Sequence, residues 1–119
     1  MRQLILLRHA HAESAAAGQD DLGRPLSGTG LAEARAAGDW LREHGLQPDR
    51  VLSSSAARTR ETLAALGDIG GAEVHEDASI YEASPGTLVA LADANRDAER
   101  LLLVGHNPGL EQLVALLTS

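Results

Sequence analysis

The sequence predicts an α/β protein with three layers, α/β/α, around a mainly parallel sheet. Two observations carry that prediction. Leu4-Ile5-Leu6-Leu7 and Leu101-Leu102-Leu103-Val104 are short, uninterrupted apolar runs, the pattern of strands buried on both faces. Between and after them, apolar residues recur at helical spacing in segments bounded by capping and breaking residues. Strands alternating with helices in this way require right-handed crossovers and helices on the sheet faces.

The first strand stops at Arg8-His9-Ala10-His11, and residues 12–25, rich in Gly, Asp and Ser, read as a loop. Ser27 caps a helix over roughly 28–44, with Leu31, Ala34, Gly38 and Leu41 on one face and Gly45 at its stop. Val51-Leu52-Ser53 is a second strand. Ala56 to Leu66 is a second helix with Ala56, Thr59, Leu63 and Leu66 on one face. Gly67, Gly70 and Gly71 break the chain before a short third strand at Glu73-Val74-His75. Pro85 opens a helix over 85–94, with Leu88, Leu91 and Ala92 as its apolar stripe. After the strand at Leu101–Val104, Gly105-His106-Asn107-Pro108 leads into a last helix carrying Leu110, Leu113, Val114 and Leu117. No repeat or linker interrupts the pattern, so residues 1–119 are expected to form a single domain.

Composition narrows the function. A chain of 119 residues, 44% hydrophobic, supports one modest core, and without Phe that core rests on Leu, Val, Ile and Ala. A net charge of −7 argues against a nucleic-acid partner, which would need clustered cations. The absence of Cys excludes thiolate catalysis and zinc–sulfur sites. The apolar run after Met1 is too short for a signal peptide or a membrane span, so a soluble cytoplasmic protein with no membrane partner is expected.

In open α/β sheets, ligands collect beyond the carboxyl ends of the strands. Both apolar strands end there in a histidine. If the strands are neighbours, His9 and His106 reach one crevice. Imidazole can attack phosphorus, and it titrates near neutrality, so one ring can be neutral for attack while the other is protonated against developing charge. Arg8 offers a planar fork matched to phosphate oxygens, and Arg58, early in the second helix, is the natural second cation. Such chemistry is mostly positioning and charge stabilisation, and needs no metal or cofactor.

These residues resemble a known family. Leu6-Leu7-Arg8-His9-Ala10-His11-Ala12 is similar to the signature that opens histidine phosphatases, the superfamily of phosphoglycerate mutase and acid phosphatases. Ser53 to Thr62, with Arg58 and Thr62, resembles its Ser-Pro-x-x-Arg-x-x-x-Thr segment. Val104-Gly105-His106-Asn107-Pro108 matches its second histidine motif, and Pro25-Leu26-Ser27-x-x-Gly30 the lead into its first helix. The resemblance implies a phosphoglycerate mutase-like fold, His9 as nucleophile, and Arg8, Arg58 and His106 around the phosphate. It also implies an acid between the Arg helix and the second histidine. Glu82 is the choice, with Glu76 and Asp77 as rivals.

Small size and Ala10 in place of the commoner Gly point to the SixA-like phosphohistidine phosphatase branch, some members of which need no strong general acid. The implied substrate is a phosphorylated protein or a small phosphoester. Two departures stand out. Ser55 replaces the usual Pro, and the chain stops with its last helix where short members continue through another strand or two and a helix. A sheet edge left bare by such an absence could pair with a second copy, giving a homodimer.

Other residues read as structural. His44 sits at a helix stop, His75 is an exposed strand residue, Asp20-Asp21 belong to a hydrated loop, and Asn107 orients a turn. Arg60 faces solvent, His11 is a loop side chain, and Trp40 covers a helix edge. Two rival functions remain: a metal-dependent hydrolase using His9, His11 and His106, and a non-catalytic phosphate-binding module.

Overall fold

A computed structural model describes residues 3–118. The elements are β1 (Gln3–Arg8), α1 (Gly28–Glu43), β2 (Arg50–Ser53), α2 (Ala57–Ala65), β3 (Glu73–Glu76), α3 (Pro85–Ala94), β4 (Arg100–Gly105) and α4 (Gly109–Thr118). Short 3-10 turns, Asp21–Gly23 and Ala78–Ile80, lie in the connections after β1 and after β3. Each expected strand and helix forms, with bounds within two residues of those read from the sequence.

The strands pair in parallel in the order β1-β4-β2-β3. β4 takes the centre, and Leu101 to Val104 are completely buried. Its alternate side chains feed two cores. Leu101 and Leu103 pack with Leu52, Ile80, Leu88, Leu110 and Leu113 on one face, while Leu102 and Val104 pack with Val51 and Leu66 on the other. Helices α3 and α4 cover the first face, α1 and α2 the second, which completes the three layers.

Three expectations about burial are corrected. β1 lies at the sheet edge, so Leu4 to Leu7 are only half-buried instead of enclosed on both faces. On α1, Gly30 takes the buried position expected of Leu31, because a side chain there would run into the backbone of His11. On α4, Leu110 and Leu113 are buried but Val114 and Leu117 are exposed, Leu117 lining an open surface cavity with Leu4 of β1 and Val89 of α3.

Register decides where the chemistry falls. Arg8 pairs with Gly105 and Ser53 with Val104, so β1, β4 and β2 end side by side. The next residues extend the ladder, His9 N donating to Gly105 O at 3.0 Å and Ser54 N to Val104 O at 3.1 Å. His9, His106 and the start of α2 therefore meet at the carboxyl edge.

Candidate active site

The two histidine rings stand with centroids 5.3 Å apart, inclined at 56°. His9 is half-buried. Its Nδ1 lies 2.7 Å from the carbonyl oxygen of Ala10. A carbonyl only accepts, so Nδ1 carries the hydrogen and the lone pair is on Nε2. The Ala10 turn is itself tied to α2: Ala10 N donates to Thr62 Oγ1 at 3.0 Å, and that hydroxyl donates to Arg58 O at 2.7 Å. Burial lowers the pKa of His9, with further lowering from the cations of Arg58, Arg8 and Arg24; the bond to Ala10 opposes them.

His106 is buried, and its Nε2 lies 2.8 Å from Ser54 Oγ. Its pKa is pushed down to about 4, chiefly by burial and then by Arg58 and His9, with Asp21 opposing. The ring is therefore neutral near pH 7, whereas the sequence reading had one histidine protonated. A phosphoryl dianion beside it would favour the charged form.

Arg58 is buried early in α2. Its Nη1 donates to the main-chain oxygen of Asp21 at 2.7 Å, and its Nη2 to Asp21 Oδ2 at 3.0 Å. Tyr81 also donates its hydroxyl to Asp21 Oδ2, and Arg24 Nη1 donates to Oδ1 at 3.0 Å. Led by the Tyr81 bond, these donors hold the Asp21 carboxyl well below the usual carboxylate range and raise the Tyr81 phenol in return. The Tyr81 ring meets His106 edge-on at 5.4 Å, and the Arg58 guanidinium lies 5.8 Å from the Tyr81 ring centre. Asp21 is thus no bystander in a hydrated loop. Its links to Arg58 and Tyr81 span 37 and 60 residues, which no local pattern announces.

Two cavities open at this edge. One, of about 490 Å³, is lined by Asp21, Arg58, Tyr81, Glu82 and His106 among others. The other, of about 470 Å³, is lined by Arg8, His9, His11, Arg24 and Glu33 among others. Arg8 is exposed at the end of β1, and its guanidinium has no hydrogen-bond or ion-pair partner among the described residues. Glu82 lines the first cavity as an exposed side chain on a left-handed backbone, φ 55°. It is thus a solvent-exposed carboxyl and not an enclosed one. The rivals are engaged elsewhere: Glu76 pairs with Arg60 at 3.6 Å, and Asp77 caps the Ala78–Ile80 turn.

His11 turns to Ser27, Nδ1 lying 2.7 Å from Oγ, so it does not form a strand-face pair with His9. Among the described residues, no group of three or more His, Asp or Glu side chains is placed to hold a metal ion. Nor is any helix among them long and apolar enough to cross a membrane. Asn107 Oδ1 accepts from Glu111 N at 3.1 Å and so steadies the entry to α4. Trp40 is exposed and stacks on His44 at 4.1 Å.

Comparison with known proteins places this geometry. The profile of the histidine phosphatase superfamily (branch 1) matches residues 4–109. An uncharacterised protein of Mycobacterium tuberculosis is 41% identical over 113 residues, 92% of this chain and 69% of that protein. Phosphohistidine phosphatase SixA of Escherichia coli is 32% identical over 123 residues, 95% of this chain and 72% of that one. Among solved structures, protein histidine phosphatase SixA complexed with tungstate superposes with a TM-score of 0.80 at 30% identity, over 94% of this chain and 74% of the other. A candidate phosphohistidine phosphatase SixA from Agrobacterium tumefaciens reaches 0.90 at 35% identity, over 95% and 74%. The two rings at the carboxyl edge thus sit in a phosphoglycerate mutase-like fold, and this chain belongs to the histidine phosphatase superfamily as a phosphatase.

Proposed function

We propose that this enzyme removes a phosphoryl group through a covalent intermediate on His9, and that its preferred substrate is a phosphohistidine of a protein. The observation that carries the mechanism is the 2.7 Å contact between His9 Nδ1 and the carbonyl oxygen of Ala10, which assigns the tautomer. With Nδ1–H given to Ala10 O, Nε2 holds a lone pair free for phosphorus, and the lowered pKa keeps it available at neutral pH.

In the first displacement, Nε2 of His9 forms a bond to phosphorus as the bond to the leaving nitrogen or oxygen breaks. The leaving group takes up a proton, for which Glu82, an exposed carboxyl lining the His106 cavity, is the candidate donor. In the second, water attacks phosphorus, the P–N bond to His9 breaks, the attacking water loses a proton, and inorganic phosphate leaves. The Ala10 carbonyl faces the Nδ1–H of the phosphorylated, positively charged ring and stabilises it. Arg8, Arg58 and His106 carry the negative charge of the phosphoryl oxygens. None of these steps needs a metal.

The protein-substrate preference rests on similarity to SixA enzymes and on exposed Arg8 at an open edge. A small phosphomonoester is the second reading, since glucosyl-3-phosphoglycerate phosphatase of Mycolicibacterium vanbaalenii is 33% identical over 100 residues, 82% of this chain and 44% of that one. Comparing kcat/KM on a phosphohistidine protein with kcat/KM on a panel of small phosphomonoesters separates them. Higher values on the esters would overturn the preference. His9→Ala should abolish turnover while phosphate binding persists; turnover equal to an active wild type would remove His9 as the nucleophile, and a wild type that binds phosphate but turns over no substrate would be only a binding module.

The same reading includes pairing of two copies along β1, whose outer edge is unpaired among the described residues. Sedimentation over a concentration series tests it, and a monomer at every concentration would remove it.

A further inference from the structure

The Asp21–Gly23 turn crosses the crevice. Asp21 lines the cavity that contains Arg58 and His106, and Arg24, just beyond the turn, lines the cavity that contains Arg8 and His9. At that crossing both terminal nitrogens of Arg58 face Asp21, one its main-chain oxygen and the other its carboxylate. A guanidinium fork is planar and presents its paired donors in one direction. While that edge faces Asp21, it is not offered to a phosphoryl group. The remaining nitrogen, Nε, is buried and has no hydrogen-bond partner among the described residues, as is Nδ1 of His106.

Resting on the reading of Arg58 as a phosphate ligand, we propose that Asp21 is an internal competitor for the substrate. Its carboxylate occupies the Arg58 fork, and a phosphoryl group binds by displacing it. The contact is built to persist without substrate, because three side chains from different segments donate to Asp21: Arg58, Arg24 and Tyr81. It is also built to yield. The Asp21 side chain is 48% exposed while that of Arg58 is 7% exposed, so the carboxylate can swing to water and the guanidinium stays. Asp21 thereby sets how tightly the site binds anions.

The test uses calorimetric titration of inorganic phosphate into wild type, Asp21→Asn and Tyr81→Phe. Asp21→Asn removes the competing charge and should tighten phosphate at least five-fold, with KM falling alongside. Tyr81→Phe keeps the ring against His106 but removes one donor holding the carboxylate, and should shift affinity the same way by less. Unchanged or weaker binding in Asp21→Asn would overturn the proposal and make Asp21 a positioning residue for Arg58. Should that variant fail to fold, unchanged or weaker binding in Tyr81→Phe does the same. If neither wild type nor variants bind phosphate, the phosphate-ligand reading itself falls, and this inference falls with it.

Discussion

His9 is prepared for attack by a main-chain carbonyl, and the Ala10 turn that supplies it is held by Thr62. Thr62→Val removes the acceptor for Ala10 N and keeps the shape of the side chain. The turn then loosens, and a misplaced nucleophile should lower kcat roughly ten-fold with KM little changed. Steady-state kinetics check this, with the melting temperature as control for general damage. The pH profile follows from burial of the ring. Only neutral His9 attacks, and its pKa is lowered, so kcat/KM should hold steady as pH falls through 6.5 and decline only below it. A decline centred at or above 6.5 would mean that the cations and burial around His9 do not act as described. The histidines and Arg58 were legible in the sequence because each sits in a compact motif at a strand end or helix start. Asp21 and Tyr81 were not, since their roles depend on contacts across the fold and their neighbours look like any polar loop. Glu82 was legible only as a carboxyl in the right interval, and its exposure could not be read there.

At the level of elements, glycine marks where α1 must come close. A Cβ at Gly38 would stand 1.9 Å from the Leu66 carbonyl oxygen at the end of α2, and one at Gly30 would stand 2.0 Å from the His11 carbonyl oxygen. Gly38→Ala gains roughly 1 kcal/mol of helix propensity. Forcing α1 from α2 costs about 3 kcal/mol, so the variant should be destabilised by about 2 kcal/mol in urea unfolding. Gly28→Ala is the control, with nothing within 4 Å of the added carbon, and should be neutral or slightly stabilising. The order of strands and helices was readable from apolar periodicity and from the caps, and Ser27 and Ser84 both cap as N-terminal residues do. Strand order was not. Two equally apolar runs gave no sign that β4 would sit in the centre and β1 at the edge, because that choice depends on which helices cover which face. For the same reason Leu31, Val114 and Leu117 matched the helical period yet lie exposed.

For the molecule as a whole, the depressed histidines couple stability to acidity. His106 has a pKa of about 4 in the folded protein and near 6.5 when unfolded. Between those values the unfolded chain binds more protons, so stability rises with pH. The contribution is intact above pH 6.5 and is lost as pH falls toward 4, on the order of 3 kcal/mol for this group. His106→Asn should therefore lose less stability than wild type when thermal unfolding at pH 7 is compared with pH 5. Equal losses would show that the ring is not held neutral by the fold. The chemistry and this acid sensitivity share one origin, the burial of two imidazoles among arginines at the end of a parallel sheet.

The most direct measurement is rapid quenching of the enzyme during turnover of a phosphoryl-labelled substrate, followed by peptide mapping. The label should appear on the peptide that contains His9, lost in acid and kept in alkali, and should be absent from His9→Ala. Label on any other residue, or label on His9→Ala equal to wild type, would contradict the assignment of His9 as the group that carries the phosphoryl.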